Sequence, residues 1–459
     1  MTPDEHPSAE MDDYRFDLER QIHFWRVLQP VLDSYPPKCD SPSRRGNADA
    51  VGYNPTHDTP RPDLLTMAPD GVERMRESHA RFVDAVHVNV TRGSYTPGTR
   101  GLVTTAGGPY LPVLVISLRM IRRSGSNLPM EVFLASWKEY EDHICDVVLP
   151  SLNARCIVLS DILNAFPTAL QVTHYQYKIF AIIFSSFEEL LFVDADSFTI
   201  HNPDRLFTSE PFSSRGLITW PDFWASSASP YYYNISNQTV PPLTERASSE
   251  TGEILISKNK HHDTLLLATY YNYYGPTHYY PLLSQGAPGE GDKETFLAAA
   301  AALGEPFYAT SESVRSIGHP NKEGRLAGSA MVQYDPVEDY RLTSKGLWRA
   351  KNPKIAKQPR PFFIHANYPK FNPATVFDNE HDVKPTIGAN GEDTRAWTDG
   401  KDTMEAIGPE VEKHFWEEIK WTGCELEDKF ESWKGKKGIC ARVEKYYHNV
   451  YGPGSIEAT

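Results

Sequence analysis

The sequence predicts an α/β protein built on a Rossmann-like half-sheet, and two observations carry that reading. Short apolar runs alternate with helical periods from Arg100 onward, and the last of them, Leu190-Leu191-Phe192-Val193, stops at two carboxylates, Asp194 and Asp196. Apolar runs of branched and aromatic residues read as strands covered on both faces, as a parallel sheet requires. The C-terminal edge of such a sheet is where open α/β folds keep ligands.

In chain order, residues 1–68 are rich in Pro, Asp, Arg and Ser and read as a stem, with one amphipathic interval near Tyr14 to Leu32 that packs on the body or stays mobile. A catalytic body over 69–375 then opens with a helix over Gly71 to His87, where Val72, Met75, His79, Phe82 and Val86 recur at helical spacing. Arg100 to Thr105 is a first strand running into the turn Gly107-Gly108, and Tyr110 to Arg123 a helix. Pro129 to Ala135 and Ala154 to Leu159 are two more strands, and an apolar helix over His174 to Phe187 leads into the fourth. The order is βαβαβαβ, with the two aspartates at its end. A polar tail over 376–459 holds Trp416, Trp421, Phe430 and Trp433, enough large apolar surface to pack on the body.

A net charge of −14 argues against a nucleic-acid-binding face and implies that an anionic ligand needs a cation or a local basic cluster. No stretch approaches the roughly 18 to 20 apolar residues of a membrane span, and the first residues lack the pattern of a signal peptide. Asn89-Val90-Thr91, Asn234-Ile235-Ser236 and Asn237-Gln238-Thr239 are sequons. The cysteines Cys39, Cys145, Cys156, Cys424 and Cys440 lack metal-ligand spacing; Cys424 and Cys440 bracket a tail segment that a disulfide could close, and the odd total leaves a free thiol.

Alternate residues of an extended strand point the same way, so Asp194 and Asp196 can share one hard cation, or one can take the cation and the other a sugar hydroxyl. The plain alternative is that they cap the next turn. Lys178, the one cation in an apolar helix, either reaches an anion or lies in water. Gly107 and Gly108, after the first strand, allow close backbone approach by a nucleotide, or simply form a turn. Trp220, Asp222 and Trp224 place a carboxylate between two rings, as in a sugar subsite, or belong to the core. Glu250 and Glu253 flank a glycine-bearing turn that can present acids to a hexose. In the run 286–296, Glu290 and Asp292 lie among glycines; Asp292 is either a helix N-cap or an acid beside the reacting carbon. His365 and Asn367 end an apolar strand, and a neutral imidazole beside carboxylates suits Mn²⁺ better than Mg²⁺.

Phosphatases of the haloacid dehalogenase type carry their Asp-x-Asp on the first strand of the core, whereas here three strands precede it; metal-dependent nucleotide-sugar transferases fit instead. With the runs Tyr175 to Lys178, Leu191 to Asp196, Asn202 to Phe207, Trp220 to Trp224, Gly291 to Phe296 and His365 to Asn367 in order, the chain resembles the fungal Golgi α-mannosyltransferases of glycosyltransferase family 71. The Trp-Pro-Asp-x-Trp form is closer to its α-1,2 branch.

That resemblance implies a GT-A fold, GDP-mannose as donor, a mannoside or glycan acceptor, Mn²⁺ (Mg²⁺ as the alternative) and retention of α configuration. It implies metal ligation by Asp194, Asp196 and His365. Lys178 and Asp292 become the catalytic groups, Asp292 by looser analogy with other retaining enzymes of that fold. Ala106, Gly107 and Lys178 join the aspartates around the nucleotide, and Trp220, Asp222, Trp224, Glu250, Glu253, Glu290 and Asn367 surround the sugars. Family members are type II proteins of the Golgi lumen, and this sequence holds no anchor. Where the family's turn reads Glu-Ser-Gly-Gln, Glu250-Thr251-Gly252-Glu253 stands here. A transferase of another nucleotide sugar such as a UDP-hexose, and a catalytically silent glycan-binding protein, are the competing expectations.

Overall fold

A computed structural model of the protein describes residues 16–90, 93–166, 171–378 and 380–453. The stem expectation meets its structure first. Helix α1 (Leu18–Ser34) starts where the Asp17 carboxylate accepts from the backbone N–H of Arg20 at 3.0 Å. Of the two alternatives for this interval, packing is what is seen: Trp25 is 0% exposed and meets Phe180 and Phe184 edge-on. Helix α2 (Pro69–Asn89) has proline at its first position, and Met75, Phe82 and Val86 are buried as their spacing predicts.

The half-sheet follows in the expected order. Strand β1 (Thr96–Thr105) leads to α3 (Leu111–Arg123), then β2 (Met130–Leu134), β3 (Ala154–Val158), α4 (Gln176–Phe184) and β4 (Phe187–Val193). β1 pairs in parallel with both β2 and β4, and β2 with β3. Leu190, Leu191 and Phe192 of β4 are fully buried, each contributing roughly 1.5–3 kcal/mol of burial.

The chain continues through β5 (Ser197–Thr199), β6 (Leu217–Ala225), β7 (Ala247–Ser257), α5 (His262–Tyr273) and α6 (Thr295–Leu303). Strands β8 (Tyr308–Ala309), β9 (Arg315–Pro320), β10 (Leu326–Tyr334) and β11 (Pro361–His365) complete the sheets. The large sheet has seven strands in the order β8-β6-β7-β4-β1-β2-β3, with β7 antiparallel to both β4 and β6; the smaller has four, β9-β10-β11-β5, all antiparallel. A parallel nucleotide-side half continued by antiparallel strands, with a second small sheet beside its edge, is the GT-A arrangement expected from the motifs.

Tail helix α7 (Glu410–Glu425) lies against α3 and β5, where Phe415 stacks on Phe198 at 5.0 Å and Arg119 and Arg123 both bind Glu418, and α8 (Ile439–Tyr451) packs on α7, with the Trp416 and Tyr446 rings 4.2 Å apart. Cys424–Cys440 closes this segment, and Cys145–Cys156 forms a second disulfide that no residue spacing signalled; Cys39 is the free thiol. Asn234 and Asn237 of two sequons are exposed, while Thr91 of the third lies outside the described residues. Among the described residues no helix is long and apolar enough to cross a membrane.

Candidate active site

Everything in the site is arranged by the step from the large sheet to the small one. β4 ends at Val193, the chain turns through Asp194-Ala195-Asp196, and β5 joins the other sheet with Ser197 opposite His365 of β11. The turn is held by its backbone: Ser197 N–H donates to Asp194 O at 2.9 Å, Asp194 N–H to Gly252 O at 2.8 Å, and Ala366 N–H to Asp196 O at 2.9 Å. Three strand ends therefore meet at the two aspartates, whose carboxylates engage Lys178, His365 and Lys370 rather than the backbone of the turn.

They line a cavity of about 860 Å³ together with Ala106, Gly107, Lys178, Asp222, Trp224, Glu250, Asp292, His365 and Asn367. Lys178 is buried beneath it. Its Nζ donates to Thr251 O at 2.5 Å and Oγ1 at 3.1 Å, and lies 3.2 Å from Asp194 Oδ1 and 3.5 Å from Asp292 Oδ2. Burial alone would lower its pKa; Asp194 and Asp292 outweigh that and raise it, so the lysine stays charged. Asp292 is 4% exposed and accepts from the Thr251 hydroxyl at 3.3 Å. Burial pushes its carboxyl up against the pull of Lys178. It caps nothing: α6 begins at Thr295 without a side-chain cap.

His365 is buried between two acids, with Nε2 3.2 Å from Asp196 Oδ1 and Nδ1 3.3 Å from Glu250 Oε1. Burial would lower its pKa, yet the two carboxylates hold it well above the ordinary histidine value, and in return Glu250 is held down to about 2. Asp196 is likewise depressed despite its burial, by His365 and by Lys370, whose ammonium it accepts from. Gly252 is required here, because a Cβ would stand 2.6 Å from His365 Nδ1.

The clustered set of possible metal ligands differs from the expected one by a single residue, Glu250 in place of Asp196. Among the described residues, Asp194, Glu250 and His365 offer ligand atoms that all lie within 4.8 Å of one another. His365 Nδ1 is buried without a hydrogen-bond partner, and two carboxylates with one imidazole suit Mn²⁺. Asp196 instead has both oxygens engaged, one by His365 Nε2 and the other by Lys370, so it stands behind the histidine rather than beside Asp194.

Three expected sugar-site residues lie elsewhere. Trp220 is 1% exposed in the core, donating from Nε1 to Tyr334 O at 2.9 Å and meeting Phe363 edge-on. Glu253 pairs opposite Val193 in the sheet, takes the Ser197 hydroxyl, and is pushed well up by burial and by Glu250, so it lies behind the cavity wall. Glu290 turns outward to Arg44 at 2.6 Å and clasps its own glycine loop. Asp222 keeps its place in the cavity, paired with Lys293 at 2.9 Å. Lys370, Lys293 and Thr251 were not assigned roles from sequence; Lys293 lies in the acid-rich run 286–296 and Thr251 between Glu250 and Glu253, whereas Lys370 lies three residues beyond Asn367.

Residues 99–248 and 243–335 match the family model described as "Mannosyltransferase putative". The α-1,2-mannosyltransferase MNN21 of Candida albicans is 34% identical over 79% of this chain and 63% of its own length. The α-1,2-mannosyltransferase MNN5 of Saccharomyces cerevisiae is 32% identical over 71% of this chain and 68% of its own. The chain thus spans between 60% and 63% of the length of the two Candida relatives MNN24 and MNN21. Among solved structures, galactosyltransferase LgtC with donor and acceptor sugar analogues is 14% identical, with a TM-score of 0.31 over 46% of this chain and 73% of that one. Mouse xyloside xylosyltransferase 1 gives 14% and a TM-score of 0.31 over 46% of this chain and 85% of that one. Matched by the family model over more than half its length and by MNN5 over two thirds of that protein, the chain belongs to the fungal α-mannosyltransferase family that its motifs pointed to.

Proposed function

We propose that the protein is a retaining, metal-dependent mannosyltransferase that moves mannose from GDP-mannose to a mannoside acceptor with α-1,2 linkage. The observation that carries this reading is the convergence of Asp194, Glu250 and His365 with the Lys178–Asp292 pair in one cavity at the C-terminal edge of a parallel half-sheet. A Mn²⁺ ion held by Asp194, Glu250 and His365 would neutralise charge on the donor diphosphate.

The remaining chemistry belongs to the chain. Lys178, fixed by Thr251 and Asp194, keeps a permanent positive charge beside the departing phosphate. The bond from the mannose anomeric carbon to the β-phosphate oxygen breaks, and the acceptor hydroxyl forms a new bond to the same face. Its proton passes to the leaving phosphate oxygen. Asp292 stabilises the positive charge on the flattened sugar, and the protein supplies no covalent nucleophile. Asp222 with Lys293, Trp224 and Asn367 orient the acceptor. Two disulfides suit an oxidising compartment, and we place the protein in the Golgi lumen.

Thermal unfolding against nucleotide sugars tests this reading, since a ligand that binds only the folded state stabilises it. A Mn²⁺-dependent rise with GDP and GDP-mannose, and none with UDP-hexoses, is expected. A rise with UDP-hexoses alone would overturn the donor, and no rise with any would favour a silent glycan-binding protein.

A further inference from the structure

Six acids line the cavity, and five of them have a cation: Asp194 and Asp292 have Lys178, Asp222 has Lys293, Asp196 has Lys370 and His365, and Glu250 has His365. Glu139 is the exception. It forms no ion pair with any described residue. Its Oε2 accepts from the backbone N–H of Ala135 at 2.9 Å, which fixes the carboxylate just past the end of β2, and Oε1 has no hydrogen-bond partner among the described residues. The carboxylate is pressed against the turn after β1: a Cβ on Gly107 would stand 2.3 Å from Oε2. Tyr177 lines the same cavity, partly exposed and within electrostatic reach of Glu139, while Phe133 lies almost fully buried in its wall.

An unpaired carboxylate in a cavity for an anionic diphosphate is unfavourable unless the ligand brings donors to it. Guanine does so: its N1–H and N2 amino group stand side by side and match two carboxylate oxygens, whereas uracil offers one N–H between two carbonyls. Tyr177 beside the acid supplies an aromatic ring on which a base can stack. Resting on the GDP-mannose reading above, we infer that Glu139 reads the guanine edge of the donor nucleotide and so sets the choice of base.

The test is calorimetric binding of GDP, inosine diphosphate and UDP, each with Mn²⁺, to the wild-type chain and to Glu139→Gln. Glutamine keeps an oxygen for the Ala135 N–H, so the fold should be unchanged, while its amide group opposes the guanine 2-amino group. The wild type is expected to bind GDP roughly 10-fold or more tighter than inosine diphosphate, which lacks that amino group. In E139Q the GDP affinity should fall about 10- to 100-fold and that of inosine diphosphate, which keeps only the N1–H, by less, so that the preference narrows. An unchanged GDP affinity would overturn the inference, as would an equal loss for all three nucleotides, which would assign Glu139 to the ribose; either result leaves the GDP-mannose reading standing. Preference of the wild type for UDP would overturn that reading and the inference together.

Discussion

Nδ1 of His365 lies 3.3 Å from Oε1 of Glu250, across a gap kept open by the missing side chain of Gly252. That pairing, and not the spacing of the two aspartates alone, is the basis of the cation site proposed above. It also separates two roles that the Asp-x-Asp pattern merges.

Glu250→Gln removes a proposed ligand and should weaken Mn²⁺ binding at least ~10-fold, and it should also lower stability because His365 loses one of its two buried carboxylates. Asp196→Asn should leave Mn²⁺ binding measurable but cost about 1–3 kcal/mol of stability, because His365 and Lys370 lose their buried acceptor. Titration of Mn²⁺ and urea unfolding of both variants check the assignment. A larger loss of Mn²⁺ affinity in D196N than in E250Q would restore Asp196 as a direct ligand.

Lys178 is the shared partner of Asp194 and Asp292, so Lys178→Met should be strongly destabilising, by about 3–5 kcal/mol, through two acids left without their cation. Combining it with Asp292→Asn should recover part of that loss. A double-mutant cycle in urea reads the coupling, expected at about 0.5–3 kcal/mol; strict additivity would show that the contact carries no energy.

Metal-free protein should lose stability as pH rises. The folded pKa of His365 lies well above 6.5, so its contribution is fully present below about 6.5 and is lost as pH climbs through the raised folded value. Glu250, held at about 2, contributes above the ordinary carboxylate range and loses that only as pH falls toward 2. Because the imidazole must shed its proton to become a ligand, the stabilisation by Mn²⁺ should grow with pH. Melting temperatures in EDTA and in Mn²⁺ between pH 6 and 9 test this, and a stabilisation by Mn²⁺ that shrinks with pH would contradict it.

Trp25 belongs to the same core as α4, so Trp25→Ala should cost about 3–5 kcal/mol in urea unfolding. A loss below 1 kcal/mol would mean that α1 is a detachable stem.

The parallel half-sheet was legible because each of its strands is a short apolar run and the chain supplies them in sequence order. The Asp-x-Asp turn and His365 were legible for the same reason, both being polar groups that abruptly end such runs. Trp220 was misjudged because bulges at Thr219/Trp220 and between Pro221 and Ala225 break the alternation of β6, and no residue pattern reveals them. Glu253 and Glu250 were indistinguishable as acids of one turn until the register set Glu253 opposite Val193, facing inward. Glu290 depended on Arg44, 246 residues away in sequence, and the Cys145–Cys156 pair on how β3 packs against the stretch before it. Partners brought together by packing in this way leave no local trace.

The most direct test of the central claim is product analysis after incubation of the chain with GDP-mannose and an α-mannoside. The account predicts an α-linked mannosyl product with GDP released, formed with Mn²⁺ and suppressed by EDTA, and none from UDP-hexoses. Transfer from a UDP-hexose instead, or undiminished transfer in EDTA, would contradict it.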